Sequence, residues 1–119
     1  MTKKYFLLEE VTYMAAPYYQ GIYKSKEEAD KNCSTSSDMY SGSSVESISI
    51  KSINDIKELV SRIHNGVRQN KFSFTYKRVK NKFVLKIKSE RFKDLKVSSF
   101  ISEQDVIIKT MTYLERLKF

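Results

Sequence analysis

His64 and Cys33, the sole histidine and cysteine of the chain, are its best material for a base and nucleophile pair or for a soft metal site. A nucleophile needs its base within hydrogen-bond reach, and a zinc site needs further imidazole or thiolate ligands. Nothing in the spacing brings the two together. His64 stands beside Asn65-Gly66, a helix-stop signal, where an imidazole caps free carbonyls or faces water. Glu9-Glu10 and Glu27-Glu28 are the paired carboxylates that acid–base catalysis would use. Neighbours on a strand point to opposite faces, however, and Glu28 lies where a carboxylate caps a helix start, so both pairs read as solvated charge. No Gly-rich phosphate loop of recognised spacing occurs. No catalytic residue, metal site or cofactor is implied, and the expectation is a protein that is not an enzyme. The lone cysteine permits no internal disulfide and suits a reducing compartment.

The chemistry that the residues do supply is charge. Over 119 residues, 22 Lys and Arg face 14 Asp and Glu, a net +8. Residues 1–50 hold five lysines and seven carboxylates, a net −2, whereas residues 62–96 hold twelve Lys or Arg against Glu90 and Asp94, a net +10. A field so concentrated attracts polyanions whatever fold lies beneath it. Within the block, Lys71, Ser73, Thr75 and Lys77 alternate with Phe72, Phe74 and Tyr76, and Lys82, Lys86 and Lys88 alternate with Phe83, Leu85 and Ile87. Pairing two such strands gathers lysines on one face and rings on the other. The candidate contact residues are Lys71, Lys77, Lys82, Lys86 and Lys88, joined by Arg78, Arg91 and Lys93. A second candidate surface is the group Tyr5, Tyr13, Tyr18, Tyr19 and Tyr23. Tyr18 and Tyr19, next to Pro17, are expected to be the most exposed and could stack on bases or enter a protein interface.

These residues need elements to hold them. Aromatic and branched residues predict strands over 5–14 and 18–24, with a turn at Ala15-Ala16-Pro17. Ser25 and Glu28 have capping-box spacing and open a helix over 26–33 that buries Ala29 and Cys33. Residues 34–44 are small and polar and read as a flexible loop, followed by a strand over 45–51 with Ile48 and Ile50 on one face. Ile53, Ile56, Val60, Ile63 and Val67 form a helical stripe that stops at Asn65-Gly66. Strands follow over 71–79 and from Lys82, with a turn at Lys80-Asn81, and a third over 92–99 through Leu95 and Val97. Ser102 and Asp105 open the last helix, which carries Val106, Ile107, Met111, Leu114 and Leu117. The order is β-β-α-β then α-β-β-(β)-α. The fold class is α+β, with antiparallel sheets and helices on one face, in a single domain over 1–119: a ββαβ half, 1–51, and a basic αβββα half, 52–119. No apolar run approaches a membrane span, and Glu9 and Glu10 arrive before a signal-peptide core forms, so the expected location is cytoplasmic.

Three stretches resemble known families. Gly21-Ile22-Tyr23 matches the opening of the GIY-YIG nucleases, but their second Tyr-Ile-Gly strand, arginine and metal-binding glutamate do not follow at suitable spacing. Residues 53–117 are similar in order to a double-stranded RNA-binding domain, with Ser102-Glu103-Gln104-Asp105 where that family carries a lysine cluster. Residues 21–31, Gly21-Ile22-Tyr23-Lys24-Ser25-Lys26-Glu27-Glu28-Ala29-Asp30-Lys31, resemble a pattern of small phage and mobile-element accessory proteins, anti-CRISPR-like inhibitors of host defence among them. That resemblance implies an accessory protein acting by stoichiometric binding, in the host cytoplasm if phage-encoded. The expected function is non-enzymatic binding of a nucleic acid or nucleoprotein machine through the basic sheet face. The alternative is a stoichiometric inhibitor that meets an acidic surface of a host enzyme or defence complex by protein–protein contact. No membrane partner is expected, and the oligomeric state is left open.

Overall fold

Two runs of alternating apolar residues, separated by a helical stripe, settle the architecture. A computed structural model describes residues 3–12, 15–33, 41–65 and 71–117. Its elements are β1 (Lys3–Thr12), β2 (Ala15–Tyr23), α1 (Lys26–Lys31), β3 (Ser41–Ile50), α2 (Ile53–Ile63), β4 (Phe72–Val79), β5 (Lys82–Ser89), β6 (Leu95–Ser99) and α3 (Glu103–Leu114). The strands form two antiparallel three-stranded sheets, ordered β2-β1-β3 and β4-β5-β6. This is the expected α+β class. Among the described residues no helix is long and apolar enough to cross a membrane.

Several boundaries differ from the sequence expectation: β1 spans Lys3–Thr12, α1 ends at Lys31, β6 begins at Leu95, and β2 and β3 both start early. Ala15, Ala16 and Pro17 belong to β2, not to a turn. The β1–β2 register shifts between Glu10 and Thr12 on one strand and Tyr18 and Ala15 on the other, so Pro17 falls in the irregularity of an edge strand, where no ladder N–H is demanded of it. Residues 13–14 lie outside the described residues. β3 begins at Ser41, so the end of the expected loop is strand: Ser41 to Ser44 pair with Thr12 to Glu9 of β1. Backbone pairing to a long neighbour needs no apolar side chains, which is why composition pointed to a loop there. The rest of that expected loop, 34–40, and Gly66 of the expected helix stop with Val67 of the expected stripe also lie outside the described residues.

Serine caps start all three helices. Ser25 Oγ accepts from the Glu28 amide, Ser52 Oγ from Asp55 and Ser102 Oγ from Asp105. In α2 the Asp55 carboxylate also accepts from the Ser52 amide, which completes a reciprocal box.

One hydrophobic cluster joins both halves of the chain. It contains Tyr5, Leu7 and Ile22 from the first sheet, Ile56, Leu59, Val60 and Ile63 from α2, Leu85, Ile87 and Val97 from the second sheet, and Val106, Met111 and Leu114 from α3. Leu8 has the opposite parity to Leu7 and is buried outside this cluster, as is Ala29 of α1, the helix that touches all three strands of the first sheet.

Arg62 fastens α2 to the first sheet. Its guanidinium lies 2.6 Å from the Glu9 carboxylate and 2.7 Å from Glu46. Glu9 is only 4% exposed, so this corrects the reading of Glu9 as solvated charge. A carboxylate enters a core when a cation meets it there, and this cation comes from a residue 53 positions away.

Candidate nucleic-acid interface

The second sheet does what its alternation requires. β4 and β5 pair from Phe72↔Ser89 to Val79↔Lys82, and β5 and β6 from Phe83↔Ser99 to Ile87↔Leu95. Leu85, Ile87 and Val97 are buried in the core, with Phe72, Phe74, Tyr76, Phe83 and Leu95 packed against it. The other face therefore carries the opposite parity. Lys77, Lys82, Lys86, Lys88 and Lys96, with Ser73, Thr75, Val79 and Val84, line one open groove of about 580 Å³.

The electrostatics of this groove are one-signed. It holds five lysines and no carboxylate. Lys86 and Lys96 are direct cross-strand partners, an arrangement of like charges that destabilises a sheet. Lys77, Lys86, Lys88 and Lys96 form no ion pair among the described residues. At one end the groove meets a smaller one lined by Lys71, Lys88, Glu90 and Asp94. Both of those carboxylates are occupied with backbone: Glu90 accepts from the Lys71 amide and Asp94 from the Ser89 amide. At the other end the Lys82 ammonium lies 5.5 Å from the centre of the Phe100 ring. Lysine ammonium groups over a floor of Ser, Thr and Val hydrogen-bond phosphate oxygens but carry no base-reading geometry.

The sequence candidates divide accordingly. Lys77, Lys82, Lys86 and Lys88 share the groove, and Lys71 stands at its end. Arg78 does not join them. It has the inward parity of Tyr76 and lies over the Phe83 ring, 5.2 Å from its centre. Arg91 is also elsewhere: half-buried, it donates through Nη1 to the Ile63 carbonyl, 2.5 Å away, at the end of α2. Burial holds its guanidinium below the ordinary arginine range. Lys93 is exposed in the β5–β6 connection, where its carbonyl accepts from the Tyr113 hydroxyl. The tyrosine surface is corrected as well. Tyr18 is half-buried, and Tyr19 is fully buried, its hydroxyl donating to the Leu117 carbonyl at 3.1 Å. Burial raises that phenol far above its usual value. Register explains the error: β2 is bulged opposite Leu8 and Glu9, and the shift turns Tyr19 toward α3.

Lys96 of the groove, and Phe100 beside its Lys82, escaped the sequence reading. Both follow from extending the alternation of Leu95 and Val97, which puts 96, 98 and 100 on the outer face.

His64 and Ser89 come within 2.7 Å through Nε2 and Oγ, the reach of a base and a nucleophile. The rest of the geometry is structural. Nδ1 lies 2.7 Å from the Val60 carbonyl and must donate to it, so Nε2 accepts the Ser89 proton. Ser89 Oγ in turn accepts from the Arg91 and Phe92 amides, at 2.9 and 3.2 Å, which leaves no free lone pair for attack. The imidazole is 6% exposed and stacks on Phe72 at 4.7 Å. Cys33 is half-buried near its own helix, its thiol 3.6 Å from the Ala29 carbonyl. No protein-family model, curated protein or solved structure matches this chain, so the chemistry of the site rests on its own residues.

Proposed function

We propose that this protein is a non-enzymatic binding module whose ligand is a nucleic acid laid along the outer face of β4, β5 and β6. The observation that carries this reading is a groove holding five lysines and no carboxylate, with two of the lysines directly opposed. Solubility is served by charges of both signs mixed over a surface. A face of one sign gathers counterions, and releasing them drives association with a polyphosphate. Ser73, Thr75 and Ser98 add hydroxyl donors on the same face, and backbone contacts of this kind fix position with little sequence preference.

Fluorescence anisotropy with labelled oligonucleotides at about 50 and 200 mM salt tests it. Five phosphate contacts predict an affinity loss of roughly a hundredfold over that range. The triple variant Lys77→Glu, Lys86→Glu, Lys88→Glu is expected to lose binding while keeping its circular dichroism, because all three side chains are exposed. A folded triple variant that still binds would refute the assignment. Failure of the unmodified protein to bind any nucleic acid at low salt would hand the face to an acidic protein surface.

A further inference from the structure

The groove ends on a ring. Phe100 and Ile101, in the corner between β6 and α3, are 73% and 79% exposed, the two most exposed large apolar side chains among the described residues. The corner is pinned: Ser99, 4% exposed, accepts the Ile101 amide on its Oγ at 3.0 Å. Phe100, one residue past the Phe83↔Ser99 pair, lies with its ring beside Lys82, the cross-strand partner of the half-exposed Val79. A ring left in water forgoes the stabilisation that burial gives an apolar side chain. Among the described residues its ring contact is with the Lys82 ammonium.

From this placement we propose that the ligand is a single-stranded nucleic acid, its phosphates on Lys77, Lys86, Lys88 and Lys96 and one base stacked on Phe100. The proposal rests on the nucleic-acid reading above and narrows it. In a duplex the faces of each base are covered by its neighbours and only edges show in the grooves, and a phenyl ring has no donor or acceptor with which to read an edge. An unpaired base offers its face, and a ring beside a basic track is the arrangement that holds such strands without regard to sequence. Lys82, 5.5 Å from the ring centre, places a cation beside the same stack. β5 is eight residues long, about 26 Å at 3.3 Å per residue, enough for a few nucleotides alongside the ring.

The chain contains no tryptophan, so Phe100→Trp supplies a single reporter at the stacking position. The variant is titrated with an oligothymidylate of about 10 nucleotides, within the range a single small fold covers, and with a duplex of equal length. The expected result is quenching of the tryptophan emission that saturates with the anisotropy curve for the single strand. Phe100→Ala is expected to weaken single-strand binding about tenfold without lowering the melting temperature, since the ring is 73% exposed. Unquenched emission with unchanged affinity of Phe100→Ala would overturn the stacking proposal while lysine-dependent binding still upheld the broader reading. A duplex bound as tightly as the single strand would overturn it in the same way. Absence of any binding by the unmodified protein would remove both together.

Discussion

At the scale of single residues, the molecule places its charged and polar groups by tertiary partners that no local pattern announces. His64 was legible as a helix-end residue, and it does cap α2, but its burial against Phe72 and Phe92 comes from strands that follow it. Burial lowers its pKa, against the hydrogen bond to Val60, and the nearby Arg91 charge lowers it further. The folded state thus prefers the neutral ring. An unfolded chain binds a proton near pH 6.5, so the unfolded state takes up more protons as pH falls below that value, and stability declines. As the sole histidine, His64 is the one side chain whose ordinary range covers pH 5 to 7. The thermal midpoint is therefore expected to fall by a few degrees between about pH 7 and pH 5. In His64→Gln that slope should vanish, on a lower plateau because the aromatic stacking is lost. A variant that kept the slope would show that another group titrates there. Asp55, held below the carboxylate range by the Lys51 amide, acts only at more acid pH. Glu9 teaches the same lesson as His64. As one of two adjacent glutamates it read as solvated, and only the position of Arg62 in space makes it a core residue.

Elements were more legible than residues, since strand alternation and serine caps are local signals. The lysine stripe of β4 and β5 was readable from period alone, and the pairing of the two strands follows from the short turn between them. What period could not supply was register in β2, where a bulge reverses the faces of Tyr18 and Tyr19 relative to a regular strand. Nor does it say which helix holds which sheet. Arg62 is the strongest polar tie of α2 to β1 and β3, and Glu9 has no other described partner for its charge. Arg62→Met is expected to cost about 2–4 kcal/mol by urea unfolding, the range for stranding a buried carboxylate, reduced because Arg62 is about a third exposed. Adding Glu9→Gln should recover part of that loss. If the double variant were as unstable as the sum of the two single ones, the pair would not be coupled. Ser102→Ala should cost α3 about 1 kcal/mol through its cap, read in the same experiment.

The whole molecule is one core under two sheets. The halves 1–51 and 52–119, distinct in charge, share the cluster that runs from Tyr5 to Leu114. Thermal unfolding followed by far-ultraviolet dichroism and by tyrosine fluorescence should then give a single coincident transition. Two separate transitions would mean that the halves melt independently. Binding of an oligonucleotide to the folded state alone should move that transition upward with ligand concentration, even though the lysine groove and the core share few side chains. A single domain is what the length predicts, but whether the halves share one sheet was not readable from the sequence, and they form two; amphipathic stripes name the face each element buries and leave open which other face it meets.

The hydrogen bond from the Tyr19 hydroxyl to the Leu117 carbonyl spans 98 positions of sequence. A ribosome adding about 5–20 residues per second needs roughly 5–20 s to cover that interval. For all of that time the first hairpin exists without the last helix, and Leu7, Tyr19 and Ile22, all buried in the finished fold, lack the surface that covers them. Nascent chains arrested before Leu114 emerges should stay sensitive to protease, and chains arrested well past it should be resistant. Burial of the first strands is then timed by the appearance of the last helix.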